Sequence, residues 1–251
     1  MAKKFKVTYA KTTNNGTRKV NEDYLLVRST DGTSRCFFAV ADGLGGHGMG
    51  DVASHAACEA AMACLLRQET VDNDAFKAVF DECQQRLIKK QKEENAAGQM
   101  RTTLNLVCLD SATNKAYWSH VGDSRTYYFK DKKLVRRTFD HSVPQMLVAM
   151  GELKEEEIRF HEDRNRLLRV LGVEDHPPVF DVEEPVELEG GQQFLLCSDG
   201  FWEMISEDQI LLCLEEAEDP GYWLDNMLEL VRRNIGDQKA DNYTAVAVWI
   251  E

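Results

Sequence analysis

The chain has 251 residues, and 43 Asp and Glu against 30 Lys and Arg leave a formal net charge of −13. With 43% hydrophobic and 29% charged residues it has the composition of an ordinary folded chain, long enough to bury a sizeable core. The acidic balance argues against a nucleic-acid or anionic-membrane surface, which would repel it, and makes carboxylates too common for any single one to mark a site.

The N-terminal Met-Ala-Lys-Lys-Phe-Lys-Val carries charge but no apolar segment behind it, so no secretory signal is expected. Apolar or alternating runs predict strands near 4–10, 24–28, 36–41, 102–109, 115–121, 125–130, 179–188, 193–197 and 243–250. Helical spacing predicts helices over Gly50–Gln68 and Asp74–Lys92, then over Ser206–Glu216 and Gly221–Asn234. The charged stretch between Ser142 and Leu171 reads as short helices on an excursion from the sheet. No run is long enough to cross a bilayer. The seven cysteines (36, 58, 64, 83, 108, 197 and 213) form no CxxC pair and mostly sit in apolar runs. Reduced core thiols, and hence a cytoplasmic chain, are expected. Strands come in hairpin-like groups and helices in two blocks. That order favours a single α+β domain over 1–251, with antiparallel sheets inside and helices outside.

Several apolar strand patterns end on an acid. Cys36–Ala41 runs into Asp42-Gly43, Phe194–Ser198 into Asp199-Gly200, and Tyr117–Gly122 into Asp123. Asp241-Asn242 precedes the last strand, and Asn21-Glu22-Asp23 precedes the second. One Asp-Gly after a strand is an ordinary turn. Five acidic groups at the ends of buried strands are harder to explain so, because gathered carboxylates repel one another unless a cation neutralises them. An all-oxygen set without cysteine or paired histidine suits Mg²⁺ or Mn²⁺, and its size allows two ions or more, an arrangement that serves phosphoester hydrolysis.

The loop after Asp42 matches G-x-G-x-x-G through Gly43, Gly45 and Gly48, with Glu69 downstream. A dinucleotide site is a poor reading, since Asp42 would repel a pyrophosphate and no strand pattern precedes Glu69. The glycines better suit a backbone that brings a carbonyl and His47 close to an ion. His55, His161 and His176 read as surface or packing residues, while His120 and His141 flank motifs without an evident proton to move. Arg18, just before the Asn21-Glu22-Asp23 cluster, offers a bidentate partner for phosphate.

Arg18-x-x-Asn21-Glu22-Asp23, Val40-Ala41-Asp42-Gly43-Leu44-Gly45-Gly46-His47, Thr102-Thr103-Leu104 and His120-Val121-Gly122-Asp123-Ser124-Arg125 follow one another along the chain. Thr138-Phe139-Asp140-His141-Ser142, Arg164-Asn165-x-Leu167-x-Arg169-x-Leu171-Gly172, Cys197-Ser198-Asp199-Gly200 and Asp241-Asn242-x-Thr244 complete the series. In this order they resemble the metal-dependent (PPM, type 2C) serine/threonine protein phosphatases, bacterial single-domain type. The resemblance implies a four-layer α-β-β-α sandwich of two antiparallel sheets flanked by helix pairs. It implies that Asp42 bridges two Mn²⁺ or Mg²⁺ ions, that Asp199 and Asp241 complete one site, and that Glu22 and the Gly43 carbonyl serve the other. A third ion would use Asp123 with Asp199. Asp23 would orient the attacking water, Arg18 would hold the phosphate, and His47 would be the general acid. Residues 142–165 would form a flap beside the cleft.

The expected substrates are phosphorylated proteins, targets of a serine/threonine kinase or the kinase itself. A monomer is expected, with no nucleic-acid or membrane partner. A phosphoprotein-docking module without catalysis is disfavoured, because all five central acids are present; hydrolysis of small phosphoesters differs only in substrate. Arg101 replaces the usual glycine before Thr102-Thr103, and Glu203 stands where relatives carry Asp. The basic stripe Lys130, Lys132, Lys133, Arg136 and Arg137 reads as a solvated hairpin face, with an acidic partner as the alternative.

Overall fold

The run Phe37–Ala41 is apolar at every position because both faces of its strand are covered: Phe37, Ala39 and Ala41 meet helices, and Phe38 and Val40 meet a second sheet. In the computed structural model, which describes residues 5–29, 35–44 and 49–251, this rule organises the whole core. One antiparallel sheet takes β2 (Asp23–Ser29), β3 (Arg35–Leu44), β5 (Leu104–Asp110) and β6 (Lys115–Val121), with the short β4 (Arg101–Thr102), β9 (Asp181–Val182) and β10 (Val186–Glu187) added to β3 and β6. The other has the order β1 (Val7–Asn14), β12 (Tyr243–Ile250), β11 (Gln192–Cys197), β7 (Arg125–Lys130) and β8 (Lys133–Arg137).

Between the sheets lies a seam of Phe38, Val40, Val107 and Trp118 against Phe194, Leu196, Val246 and Val248. Helices α1 (Gly50–Arg67) and α2 (Asn73–Glu93) cover the first sheet, and α5 (Glu207–Glu216) and α6 (Pro220–Ile235) cover the second. The stripe of alanines in α1 has its reason here, since small side chains let the helix sit close to both α2 and the sheet. Helix starts follow local chemistry. Asp72 accepts from the Ala75 N–H at 2.9 Å, Ser206 and Gln209 form a reciprocal capping box, and Asp219 caps α6 with Pro220 in its first turn. The four-layer sandwich expected from the motifs is the fold observed.

The expected strand over 179–188 is two strands of two residues each, Asp181–Val182 and Val186–Glu187. Pro185 lies between them and has no N–H for a ladder. The first strand runs to Asn14, beyond the apolar run, because pairing with β12 continues through Lys11–Asn14. The basic stripe is neither a loose solvated face nor free for a partner, since four of its five members are engaged within the chain. Lys130 reaches Glu189, Lys132 the Glu215 and Ala217 carbonyls, Arg136 the Glu183 carboxylate, and Arg137 both Asp140 and Glu155.

None of the seven cysteines is in a disulfide, and burial pushes the Cys58, Cys83, Cys108 and Cys197 thiols up. No helix among the described residues is long and apolar enough to cross a membrane. Residues 142–165 hold α3 (Val143–Met150), capped by Ser142 and closed by Gly151 in the left-handed region, and a 3-10 turn over Glu155–Phe160. Arg159 ties that turn to the carbonyls of Trp202 and Ile205 and to Glu207.

Candidate metal centre

Asp23 and Asp42 face each other as directly paired residues of β2 and β3. The Asp42 peptide is gripped from both sides: its N–H donates to Thr103 Oγ1 at 2.9 Å, and its carbonyl accepts from Thr102 Oγ1 at 2.8 Å and the Thr103 N–H at 2.9 Å. This gives the Thr102-Thr103 pair a role that its sequence did not show. Arg101 pairs with Leu44 in ordinary strand geometry and is exposed, so its departure from glycine adds surface charge without a strained backbone.

Glu22 sits beside the Gly43 carbonyl. The Gly50 N–H donates to Glu22 Oε1 at 3.3 Å, and a Cβ at Gly50 would lie 2.5 Å from the Gly43 oxygen and 2.7 Å from Glu22 Oε1. The contact of these two backbones leaves no room for a side chain and sets a carbonyl next to a carboxylate. On the facing sheet, β11 delivers Asp199 at the start of the short helix α4 (Asp199–Trp202). Asp241 precedes β12, and the Asn242 amide holds the loop opposite, donating to the Asn15 and Val20 carbonyls at 3.0 Å each and accepting from the Glu22 N–H at 2.8 Å. Asp123 lies where the chain passes from β6 to β7, and its carbonyl accepts from Trp202 Nε1 at 2.9 Å. Arg125 stacks on that indole 3.4 Å from the ring centre and is paired with the buried Asp140.

Burial and mutual repulsion push these acids up together. Asp23 rises to about 7 and Asp199 to about 6, each through desolvation first. Ser198 Oγ, which donates to Asp23 Oδ2 at 2.7 Å, works against the rise of Asp23, while Asp241 adds to that of Asp199. Asp42 and Asp123 are raised well above their ordinary value by desolvation and then by Asp199. Glu22 is raised as well, again mainly by desolvation. Asp23 Oδ1 and Asp123 Oδ1 are buried without a hydrogen-bond partner. Unpartnered buried carboxylate oxygens in an all-oxygen set are what hard divalent cations neutralise, so these residues fit such ions.

The structure therefore brings Glu22, Asp23, Asp42, the Gly43 carbonyl, Asp123, Asp199 and Asp241 to one end of the sandwich. Arg18 borders them, with Nη2 2.7 Å from Asp241 Oδ2. His47, with Gly45, Gly46 and Gly48, lies outside the described residues. Glu203, pushed up to about 7 by burial and by Asp199, pairs with Arg164 of the 142–165 segment at 3.2 Å. Ser198, Thr102, Thr103 and Asn242 carry positioning hydrogen bonds that only the pairing of distant segments exposes.

His120 and His141 stack at 4.6 Å beside Asp181. Their ring nitrogens are directed by the Phe139 carbonyl and the Gly122 N–H, and Arg169, 3.1 Å from Asp181 Oδ1, already supplies that cluster with a cation. It adjoins the acids through Gly122, the neighbour of Asp123, whose N–H donates to His141 Nδ1 at 3.2 Å.

Gly200 carries a first prediction. A Cβ there would lie 2.0 Å from the Asn242 oxygen and 3.3 Å from Asp241 Cβ. Gly200→Ala is expected to lower Tm by roughly 3–10 °C, from an overpacking cost of about 1–3 kcal/mol. It should also weaken divalent-cation binding about tenfold in isothermal titration by displacing Asp241. Unchanged affinity would show that Asp241 does not depend on this contact.

A cavity of about 600 Å³ opens over Asp199 and Asp241, walled by Arg18, Lys19, Arg164 and Lys239. Past Arg164, Glu203 and Met204 it adjoins a second cavity of about 750 Å³. Residues 12–238 match the family model described as Protein phosphatase 2C. The chain is 34% identical to "Serine/threonine phosphatase stp" of Listeria welshimeri over 177 residues, 68% of each chain. Its fold superposes on the crystal structure of the Mycobacterium tuberculosis serine/threonine phosphatase PstP/Ppp with a TM-score of 0.82 and 28% identity, covering 98% of this chain and 99% of that one. A second PstP structure, a catalytic domain in complex with two manganese ions, gives a TM-score of 0.81 and 27% identity over 98% and 99% of the two chains. With eight ordered motifs, a four-layer sandwich and a family match over most of its length, the chain belongs to the protein phosphatase 2C family of metal-dependent serine/threonine protein phosphatases.

Proposed function

We propose that this chain is one catalytic domain that hydrolyses phosphoserine and phosphothreonine in proteins, opposing a serine/threonine kinase, in the cytoplasm and as a monomer. The observation that carries the reading is the gathering of six carboxylates, drawn from both sheets, beneath an open cavity edged by Arg18. In this proposal Asp42 would be shared by two Mn²⁺ or Mg²⁺ ions, Asp199 and Asp241 would help hold one, and Glu22 and the Gly43 carbonyl would help hold the other. Asp123 with Asp199 offers a third position.

Bound there, the cations would supply Lewis-acid activation of water and neutralise charge on the phosphoryl group. The protein's own groups do the rest. Thr102 and Thr103 hold the Asp42 backbone so that its carboxylate does not drift. Ser198 fixes Asp23 through Oδ2, leaving Oδ1 to orient the water that attacks phosphorus. Arg18, which shares Asp241 in the free cleft, turns its remaining N–H groups to the phosphate. His47 is assigned as the acid that protonates the departing serine or threonine oxygen. No cysteine or serine serves as a nucleophile. The 142–165 segment, anchored through Arg159 and Arg164, forms the flap.

The test is turnover of p-nitrophenyl phosphate and a phosphothreonine peptide with and without Mn²⁺. Activity is expected on both, lost on stripping with EDTA and restored by adding the metal. Turnover that survives chelation would overturn the proposal. Turnover of small phosphoesters with none of the peptide would leave a metallophosphatase but remove the protein substrate.

A further inference from the structure

The lip formed by residues 17–19 and 239–240 is tightly zipped. The Thr17 N–H and Oγ1 donate to the Ala240 carbonyl at 3.1 and 3.0 Å, and the Ala240 N–H returns to Thr17 Oγ1 at 3.1 Å. Gly16 backs this contact at a φ of +57°, where a Cβ would lie 2.1 Å from the Asp241 oxygen. The zipper brings Lys19 and Lys239 into the wall of one cavity with Arg18, Arg164, Asp199 and Asp241. Among the cations of that wall, Arg18 is held by Asp241 and Arg164 by Glu203. Lys19 and Lys239 are exposed and make no hydrogen bond or ion pair with any described residue.

The surroundings sharpen the contrast. The chain carries a net −13, yet four cations stand at this mouth. In the adjoining cavity the two arginines, Arg159 and Arg164, are paired with Glu207 and Glu203, whereas Glu156 and Asp208 have no ion-pair partner among the described residues, and Phe160 is 80% exposed. An extended polypeptide crossing the cleft therefore meets free positive charge on one side of its phosphate and free negative charge on the other. A local field of this kind selects the charge of what binds beside it.

We propose that Lys19 and Lys239 form a subsite for a second anionic group on the substrate polypeptide, an acidic side chain or a second phosphate close to the phosphorylated residue. The subsite rests on the phosphatase reading of the cleft. It makes the two lysines specificity determinants, outside the chemical step.

The test uses the full chain with Mn²⁺ and phosphothreonine peptides that differ only in their flanks: glutamine, aspartate, or a second phosphothreonine. Wild type is expected to show a KM about three- to tenfold lower for the anionic flanks, the range that two exposed ion pairs supply. A larger effect for the phosphate than for aspartate would name the phosphate as the better ligand. The advantage should shrink in high salt. Lys19→Ala/Lys239→Ala should erase it while kcat/KM on p-nitrophenyl phosphate stays as in wild type. Equal KM values in wild type, or a preference that survives the double substitution, would overturn the subsite. So would a parallel loss on p-nitrophenyl phosphate, which would place the lysines in the fold or the chemistry. A wild type inactive on every substrate would instead overturn the phosphatase reading, and the subsite with it.

Discussion

Asp42→Asn is expected to reduce kcat/KM on a phosphothreonine peptide by about 10³-fold or more and, at the same time, to raise the Tm of the metal-stripped protein. The two effects have one cause. Asp42 is held between Asp23, Asp123, Asp199 and Asp241, and each of these charges raises its proton affinity. On the proposed assignment, removing its charge would deprive the cations of a shared ligand, a loss of about 4 kcal/mol or more in transition-state stabilisation. In the absence of cations the same change relieves repulsion, a gain of about 1–2 kcal/mol or roughly 2–8 °C. Thr102 and Thr103 bind only the backbone of residue 42, so the amide inherits the same position. Kinetics and differential scanning calorimetry on metal-stripped and Mn²⁺-loaded samples give both readings. A variant that loses activity and also melts earlier without metal would show that Asp42 supports the fold rather than burdening it.

The second large effect is a reversal of pH dependence by metal. Asp23 at about 7, Asp199 at about 6 and Glu203 at about 7 keep protons in the folded, metal-free chain that the unfolded chain releases near the ordinary carboxylate range. Between about pH 4 and about pH 7 the native state thus binds more protons than the unfolded state, so stability falls as pH rises. The advantage is complete below the unfolded values and gone above the folded ones. Counting about two units for the whole interacting cluster gives about 3 kcal/mol, or roughly 6–12 °C lost between about pH 4.5 and about pH 7.5. With Mn²⁺ the sign turns, because the ligands must be ionised to bind and affinity grows with pH. Tm should then rise across the same interval. Parallel curves with and without metal would sink the assignment of Asp199 and its neighbours Asp42 and Asp241 as ligands.

Much of this was legible in the sequence, for a physical reason. Strands covered on both faces become unbroken apolar runs, such as those that end at Ala41 inside β3 and at Cys197, and an acid just after such a run stands out from the solvated ones. The four long helices α1, α2, α5 and α6 were legible from spacing, with ends found within two residues, while the one-turn α4 was not. Less legible was everything that depends on register between distant segments. Asp42 is gripped by Thr102 and Thr103 only because β4 and β5 pair with β3. The Asn242 amide reaches the Asn15 and Val20 carbonyls across more than 220 residues of sequence. The basic hairpin looked unattached because its partners, Glu183, Glu189 and the Glu215 carbonyl, belong to segments far along the chain. His120 and His141 gave no sign of stacking on each other beside Asp181, since each contact lies on a different element.

The passages of the chain between the two sheets give the acid cluster a mechanical meaning. The chain leaves the second sheet for the first through residues 15–22 and returns through 122–124, and both crossings carry groups of the cluster. Glu22 and Asp42 lie near the beginning of the chain and Asp241 near its end, on opposite sheets. A cation held by these groups would act as a removable cross-link that closes a loop of about 200 residues, restricting the unfolded chain as a disulfide of that span does. The apolar seam joins the sheets along their length, and the ions would rivet them at the rim where that seam runs out. Metal loss would then free this end of the sandwich first, making metal supply a control on the lifetime of the protein as well as on its turnover.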